Sequence, residues 1–121
     1  MRHVFASMLI FLIAQSEVGA ADFVKGLAAY DRGDYTQAFE EFRSLADQGY
    51  ANAQCNLGVM YERGQGVARN YAKAAAWYAK AADQGIAEAQ FNLGVMYYNG
   101  LGVARNYAKA IAWYAKAADQ G

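Results

Sequence analysis

The chain contains no proline, one cysteine and one histidine among its 121 residues. Without proline, helix ends must be written with glycine and with capping side chains. A single cysteine, Cys55, allows no intramolecular disulfide in any redox compartment. His3 stands at the very start, and beyond residue 20 there is no histidine, one serine (Ser44) and one threonine (Thr36). That inventory argues against a metal site of nitrogen and sulfur ligands and leaves no imidazole to activate Cys55. The expected catalytic, metal and cofactor-binding residues are none. An excess of charge of one sign is also lacking, with 11 basic and 11 acidic residues. A balanced surface gives no electrostatic reason to expect nucleic acid or an anionic membrane as partner.

What is present begins with an export pattern. Arg2 and His3 precede an apolar run from Val4 to Ala14, and Val18-Gly19-Ala20 supplies the small residues of a cleavage site. Residues 1–20 read as a signal peptide cut after Ala20, leaving residues 21–121 as one small domain. The competing reading is an uncleaved anchor. A membrane span needs about 20 apolar residues, and Gln15 and Glu17 close this run too early. No cysteine follows the run, which argues against a lipid anchor. The expected location is periplasmic or secreted, with no membrane span after signal removal.

The domain is built of repeats. Residues 51–85 and 87–121 align without a gap at an offset of 36, and 29 of 35 paired residues match. A degraded copy covers residues 22–49. Its second half keeps the 36-residue register, with Tyr35 facing Tyr71, Phe42 facing Tyr78 and Asp47-Gln48-Gly49 facing Asp83-Gln84-Gly85. Its first half is expected at an offset of 31, because Gly33-Asp34-Tyr35 replaces the longer loop from Gly64 to Tyr71.

Each copy reads as two antiparallel helices. Ala53, Leu57, Met60 and Tyr61 fall on one face of a 3.6-residue period, and Ala74, Tyr78 and Ala81 do so in the second helix. Gly64 can take the left-handed position that ends a helix, while Asn70 and Asp34 are N-cap residues. Gln37 completes a capping-box-like pair with Asp34. Gly58 inside a helix costs about 1 kcal/mol against alanine, which close approach by Trp77 or Tyr78 would offset.

The pattern Ala-x-x-x-Leu-Gly-x-Met-Tyr-x-x-Gly-x-Gly-Val, followed by Tyr-x-Lys-Ala-x-x-Trp-Tyr-x-Lys-Ala-Ala, resembles the Sel-one-like repeat (SLR), a relative of the tetratricopeptide repeat (TPR). The likeness covers residues 51–121 in full, whereas residues 22–49 are more similar to a TPR hairpin. The family often has aspartate where Asn70 and Asn106 stand, and both residue types can cap. The resemblance implies an all-α fold, a right-handed α-solenoid of three antiparallel helical hairpins, one TPR-like and two SLR. It also implies a concave groove that holds partner proteins, often as a scaffold or regulator in bacterial envelopes.

The two long copies differ at six pairs: Asn52/Glu88, Cys55/Phe91, Glu62/Tyr98, Arg63/Asn99, Gln65/Leu101 and Ala75/Ile111. Four of these form a stripe on the first helix, with Val59 between them, and the resemblance implies that this stripe lines the groove. Divergence there is read as tuning of a binding surface; drift of exposed positions is the alternative. The candidate groove is Asn52, Cys55, Val59, Glu62 and Arg63 with Glu88, Phe91, Val95, Tyr98 and Asn99, joined by Val24, Ala28, Asp31 and Arg32 from the first hairpin. Phe91 and Tyr98 are the anchor candidates. Arg69, Lys73, Arg105 and Lys109 recur at 36 and are read as a solvated face with local pairs such as Lys80 and Asp83. Trp77 and Trp113 are read as packing residues.

The expected function is a non-catalytic protein-binding scaffold or regulatory adaptor of the bacterial cell envelope, taking a protein or peptide in the groove. The alternatives are a fragment of a longer repeat protein, or a β-lactam-binding enzyme as in a cysteine-rich branch whose cysteine pairs are missing here. Ile111, Tyr114 and Ala118 would face solvent on the last helix, so self-association through an uncapped C-terminal hairpin is also expected.

Overall fold

The computed structural model describes residues 19–120. Most of the expected signal segment therefore lies outside the described residues. Within them are six helices and no strand: α1 (residues 19–31), α2 (Tyr35–Asp47), α3 (Ala51–Arg63), α4 (Tyr71–Asp83), α5 (Ala87–Asn99) and α6 (Tyr107–Gln120). They form three hairpins stacked in chain order, each helix from α2 onward packing on the next. The expected cleavage point after Ala20 falls inside α1, next to Gly19, which is buried against the ring of Tyr50.

The helix ends are set as the residues dictate. Gly64 and Gly100 take φ of 67° and close α3 and α5 by donating to the carbonyls of Met60 and Met96. Asn70 and Asn106 accept the backbone N–H of Lys73 and Lys109, both at 3.0 Å. Asp34 caps α2 through the N–H of Gln37 at 3.3 Å. The capping box is not reciprocal, however. Gln37 accepts from Arg32 at 3.2 Å, and the N–H of Asp34 turns to the carbonyl of Ala29.

One ring per hairpin organises the core. Tyr78 is fully buried, and a β-carbon on Gly58 would stand 2.7 Å from its ring. Gly94 meets Tyr114 in the same way at 2.8 Å, and Gly26 meets Phe42 at 2.7 Å. Ala53, Leu57, Met60, Ala74 and Ala81 are completely enclosed around this contact. Small residues thus let α3 and α4 approach closely enough for tight packing.

Equivalence of Gly26 with Gly58 corrects the register of the first hairpin to 32. Two ring pairs agree. Phe23 lies 5.7 Å from Phe42 as Phe91 lies 5.5 Å from Tyr114, and Tyr30 with Tyr35 matches Tyr98 with Tyr107, both at 5.1 Å. The missing loop residues are four rather than five.

Successive hairpins are joined in two ways. Gly66 and Gly102, at φ of 71° and 69°, press onto the backbones of Tyr35 and Tyr71 in the preceding hairpin, where no β-carbon would fit. At the other end, the buried Gln54 donates to the carbonyl of Ala46 at 3.2 Å and accepts from Gln84 at 2.8 Å. Gln90 repeats this one hairpin later, donating to Ala82 at 3.1 Å and accepting from Gln120 at 2.7 Å.

Candidate partner-binding groove

The first helices of the three hairpins, α1, α3 and α5, contribute to one cleft. It encloses about 280 Å³ and is lined by Leu27, Tyr30, Asp31, Asn56, Val59, Arg63 and Glu88, with Phe42 at its base. Four expected groove residues, Asp31, Val59, Arg63 and Glu88, meet there. Leu27, Tyr30 and Asp31 stand where Ala28, Asp31 and Arg32 were expected, each one residue earlier as the register correction requires, and Val24 does not line the cleft. Asn56 was invisible to a comparison of the two copies, because Asn92 matches it.

The cleft is polar at its rim and apolar at its base. Arg63 donates to the hydroxyl of Tyr30 at 3.2 Å, and that hydroxyl donates to Gln65 at 3.0 Å. One guanidinium and two carboxylates, Arg63 with Asp31 and Glu88, therefore stand around an apolar patch of Leu27 and Val59. Such a surface can hold an apolar anchor with charged neighbours of either sign.

The other expected groove residues separate from this cleft. Cys55 is 2% exposed and lies in the core, so it is withdrawn as a contact residue. Its burial, with the charge of Glu88 nearby, pushes the thiol up to about 12 and away from nucleophilic chemistry. Glu62 is half-buried and accepts from the Tyr78 hydroxyl at 2.9 Å; burial first, and then the charge and hydrogen bond of Glu62, drive the phenol pKa upward. Asn52 and Asn99 are exposed, and Asn99 turns its amide back to the carbonyl of Val95 at 3.0 Å. Tyr98 is exposed and rests edge-on against Tyr107. Phe91 packs on Tyr114 at the open side of the last hairpin.

The recurring cations lie over aromatic rings. Arg69 covers Tyr71 and Arg105 covers Tyr107, at 5.1 and 5.3 Å. Lys73 covers Tyr61 and Lys109 covers Tyr97, at 5.6 and 5.4 Å. Lys80 sits 4.6 Å above Trp77, where a local pair with Asp83 was expected, and Lys116 does the same on Trp113. These contacts lay the aliphatic stems and charges of exposed cations on rings that range from the buried Tyr61 to the exposed Tyr107.

The profile of the Sel1 repeat family matches residues 51–86 and 87–121. The chain belongs to the Sel1 repeat family. Solved structures agree. This Sel1 repeat chain is similar to c5321, a protective antigen of uropathogenic Escherichia coli strains displaying an SLR fold, with a TM-score of 0.81 and 40% identity over 89% of this chain and 24% of that one. A Sel1 repeat protein from Oxalobacter formigenes gives a TM-score of 0.77 and 40% identity over 82% of this chain and 39% of its own. Helicobacter pylori cysteine rich protein B gives 0.67 and 29%, over 70% and 64%. Among curated proteins, DAP3-binding cell death enhancer 1 of Rattus norvegicus and of Mus musculus is 50% identical over 42 residues, 35% of this chain and 8% of theirs. The chain spans less than a tenth of those curated relatives and about a quarter of the E. coli antigen.

Within these Sel1 repeats, much of the divergence between copies has a packing reason. Gln65 and Arg63 serve Tyr30 of the preceding hairpin. Their counterparts Leu101 and Asn99 face a hairpin that carries Glu62 at the position of Tyr30. Cys55 and Ala75 are covered by the next hairpin, whereas Phe91 and Ile111 are 54% and 65% exposed. No helix among the described residues is long and apolar enough to cross a membrane.

Proposed function

We propose that the chain is a non-catalytic binding module of the bacterial cell envelope that holds a protein or peptide in the cleft between α1, α3 and α5. The observation that carries this reading is the convergence of Leu27, Tyr30, Val59, Arg63 and Glu88, from three helices, on one open concavity. An extended or helical segment with one apolar anchor fits its size, the anchor lying over Val59 and a carboxylate reaching Arg63. Similarity to the E. coli antigen and the H. pylori cysteine-rich protein supports an envelope setting, as does the export pattern of residues 1–20.

Chemistry is not part of this reading. Cys55 is the sole thiol, and its buried, proton-bound state suits packing. The half-buried Trp77 and Trp113 are held by lysines rather than opened as stacking platforms.

The test is a charge reversal in the cleft. Arg63→Glu combined with Glu88→Lys, in a chain expressed with its own first 20 residues, is compared with wild type by quantitative co-purification from the envelope fraction. A partner depleted about tenfold or more by the reversal, with the melting temperature unchanged, supports the reading. A partner retained equally, or a chain found only in the cytoplasm, contradicts it.

A further inference from the structure

The even charge of the whole chain hides a separation between hairpins. Residues 21–49 carry six carboxylates and three cations, whereas residues 51–120 carry four carboxylates and seven cations. Lys25 with Glu41, Arg32 with Asp34 and Arg43 with Asp47 form ion pairs, all within the first hairpin. Among the described residues no cation of the two Sel1 repeats joins such a pair. Six of them lie on aromatic rings instead, at 4.6 to 5.6 Å.

The outer face changes sign in the same way. On α4, Lys73 and Lys80 stand about two turns apart on one side of the helix, with Ala76 exposed between them. On α6 the same side carries Lys109, Ala112 and Lys116, all exposed. At the matching positions α2 has Gln37, Glu40 and Ser44, a carboxylate and no cation. A hairpin flanks α4 on either side and still leaves this face open, so its exposure belongs to the repeat itself. Each helix has one carboxylate near its far end, Asp83 or Asp119, and one arginine before its start, Arg69 or Arg105.

These features fit a flat anionic layer better than a peptide. Lys80 and Lys116 each rest on a half-buried indole, so ammonium and ring share one spot. Lysine stems laid beside tryptophan suit the headgroup level of a bilayer. The alanines between the lysines leave nothing projecting beyond them, whereas a peptide needs a groove to lie in.

We propose that the outer face of α4 and α6 docks the chain on an anionic phospholipid surface and leaves the cleft of α1, α3 and α5 free. Every cation brought close to such a surface strengthens binding several-fold, and six act together.

The chain's two tryptophans, Trp77 and Trp113, lie under these lysines and report contact at this face. The full chain is mixed with vesicles of phosphatidylcholine alone, or with about one third phosphatidylglycerol, each holding a trace of headgroup-spin-labelled lipid. Tryptophan fluorescence is expected to be quenched by the anionic vesicles only, and to recover at about 0.5 M salt. Lys73→Gln with Lys109→Gln, both exposed, weakens anionic-vesicle binding about tenfold. The equal charge loss Lys25→Gln with Arg43→Gln leaves it within about twofold. Attachment through the apolar residues 4–14 is common to both vesicle types and indifferent to these changes. No binding to anionic vesicles, binding without quenching, or equal weakening by the two pairs overturns the proposal. So does capture of poly-glutamate with no response to vesicles, because the occupant is then an acidic protein segment.

Discussion

The amide of Gln54 donates to the carbonyl oxygen of Ala46 at 3.2 Å, tying the start of one hairpin to the end of the one before. Gln90 makes the same bond to Ala82, and both glutamines are 5% exposed. A repeat stack has no long-range contacts beyond its neighbours, so each boundary must be specified locally. Apolar packing alone would tolerate sliding by a turn; a buried donor with one acceptor in reach does not.

Replacing Gln90 with methionine therefore loosens the boundary between the second and third hairpins. It keeps the side-chain length and removes the donor to Ala82 and the acceptor for Gln120. A loss of roughly 1–3 kcal/mol is expected, read as a lower urea midpoint. An unchanged midpoint would show that the bond is incidental to packing.

Gly58→Ala should destabilise the chain even though alanine favours helix. The propensity gain is about 1 kcal/mol, but the added β-carbon stands 2.7 Å from the enclosed ring of Tyr78. Overpacking of this kind costs about 1–3 kcal/mol, so the net change is zero to negative. Gly58→Ala combined with Tyr78→Leu should recover part of the loss in thermal melts.

Cys55 should resist alkylation by iodoacetamide at pH 8 until urea unfolds the chain. Its thiol is raised from the ordinary 9.0 to about 12. As pH climbs past 9, the unfolded chain releases that proton while the folded chain keeps it, so stability falls with rising pH. Tyr78 shifts in the same direction from 10.0. The urea midpoint should thus be lower at pH 11 than at pH 8, and the decline should be shallower in Cys55→Ala.

The hydroxyl of Tyr30 joins Gln65 and Arg63 across a hairpin boundary. A double-mutant cycle of Tyr30→Phe and Gln65→Leu should return a coupling energy of about 0.5–1.5 kcal/mol. Leucine is tolerated at the equivalent Leu101, so the single change tests the bond rather than the site. Zero coupling would restore drift or ligand tuning as the reason the two copies differ here.

The fold was legible because its signals are local and doubled. Two copies, identical at 29 of 35 positions, display the Leu57 and Met60 face, the Gly64 stop and the Asn70 cap. The register of the first hairpin was less legible, since Lys25 and Ala29 stand where leucine and tyrosine would have marked it; the Gly26–Phe42 contact and the two matching ring pairs decide the offset. The candidate groove was half legible. Val59, Arg63 and Glu88 lay on the divergent stripe, but so did Cys55, and the stripe by itself could not say that the next hairpin covers it. Asn56 and Tyr30 needed the structure, one being shared by both copies and the other belonging to a hairpin read one residue out of step.

The most direct test of the cleft is photo-crosslinking in living cells from a benzoylphenylalanine placed at Arg63, with Lys80 on the outer side as control. A discrete protein captured from Arg63 and not from Lys80, and lost when Val59→Asp is added, is the predicted result. Equal capture from both positions, or capture that Val59→Asp leaves intact, would contradict the cleft as the working surface.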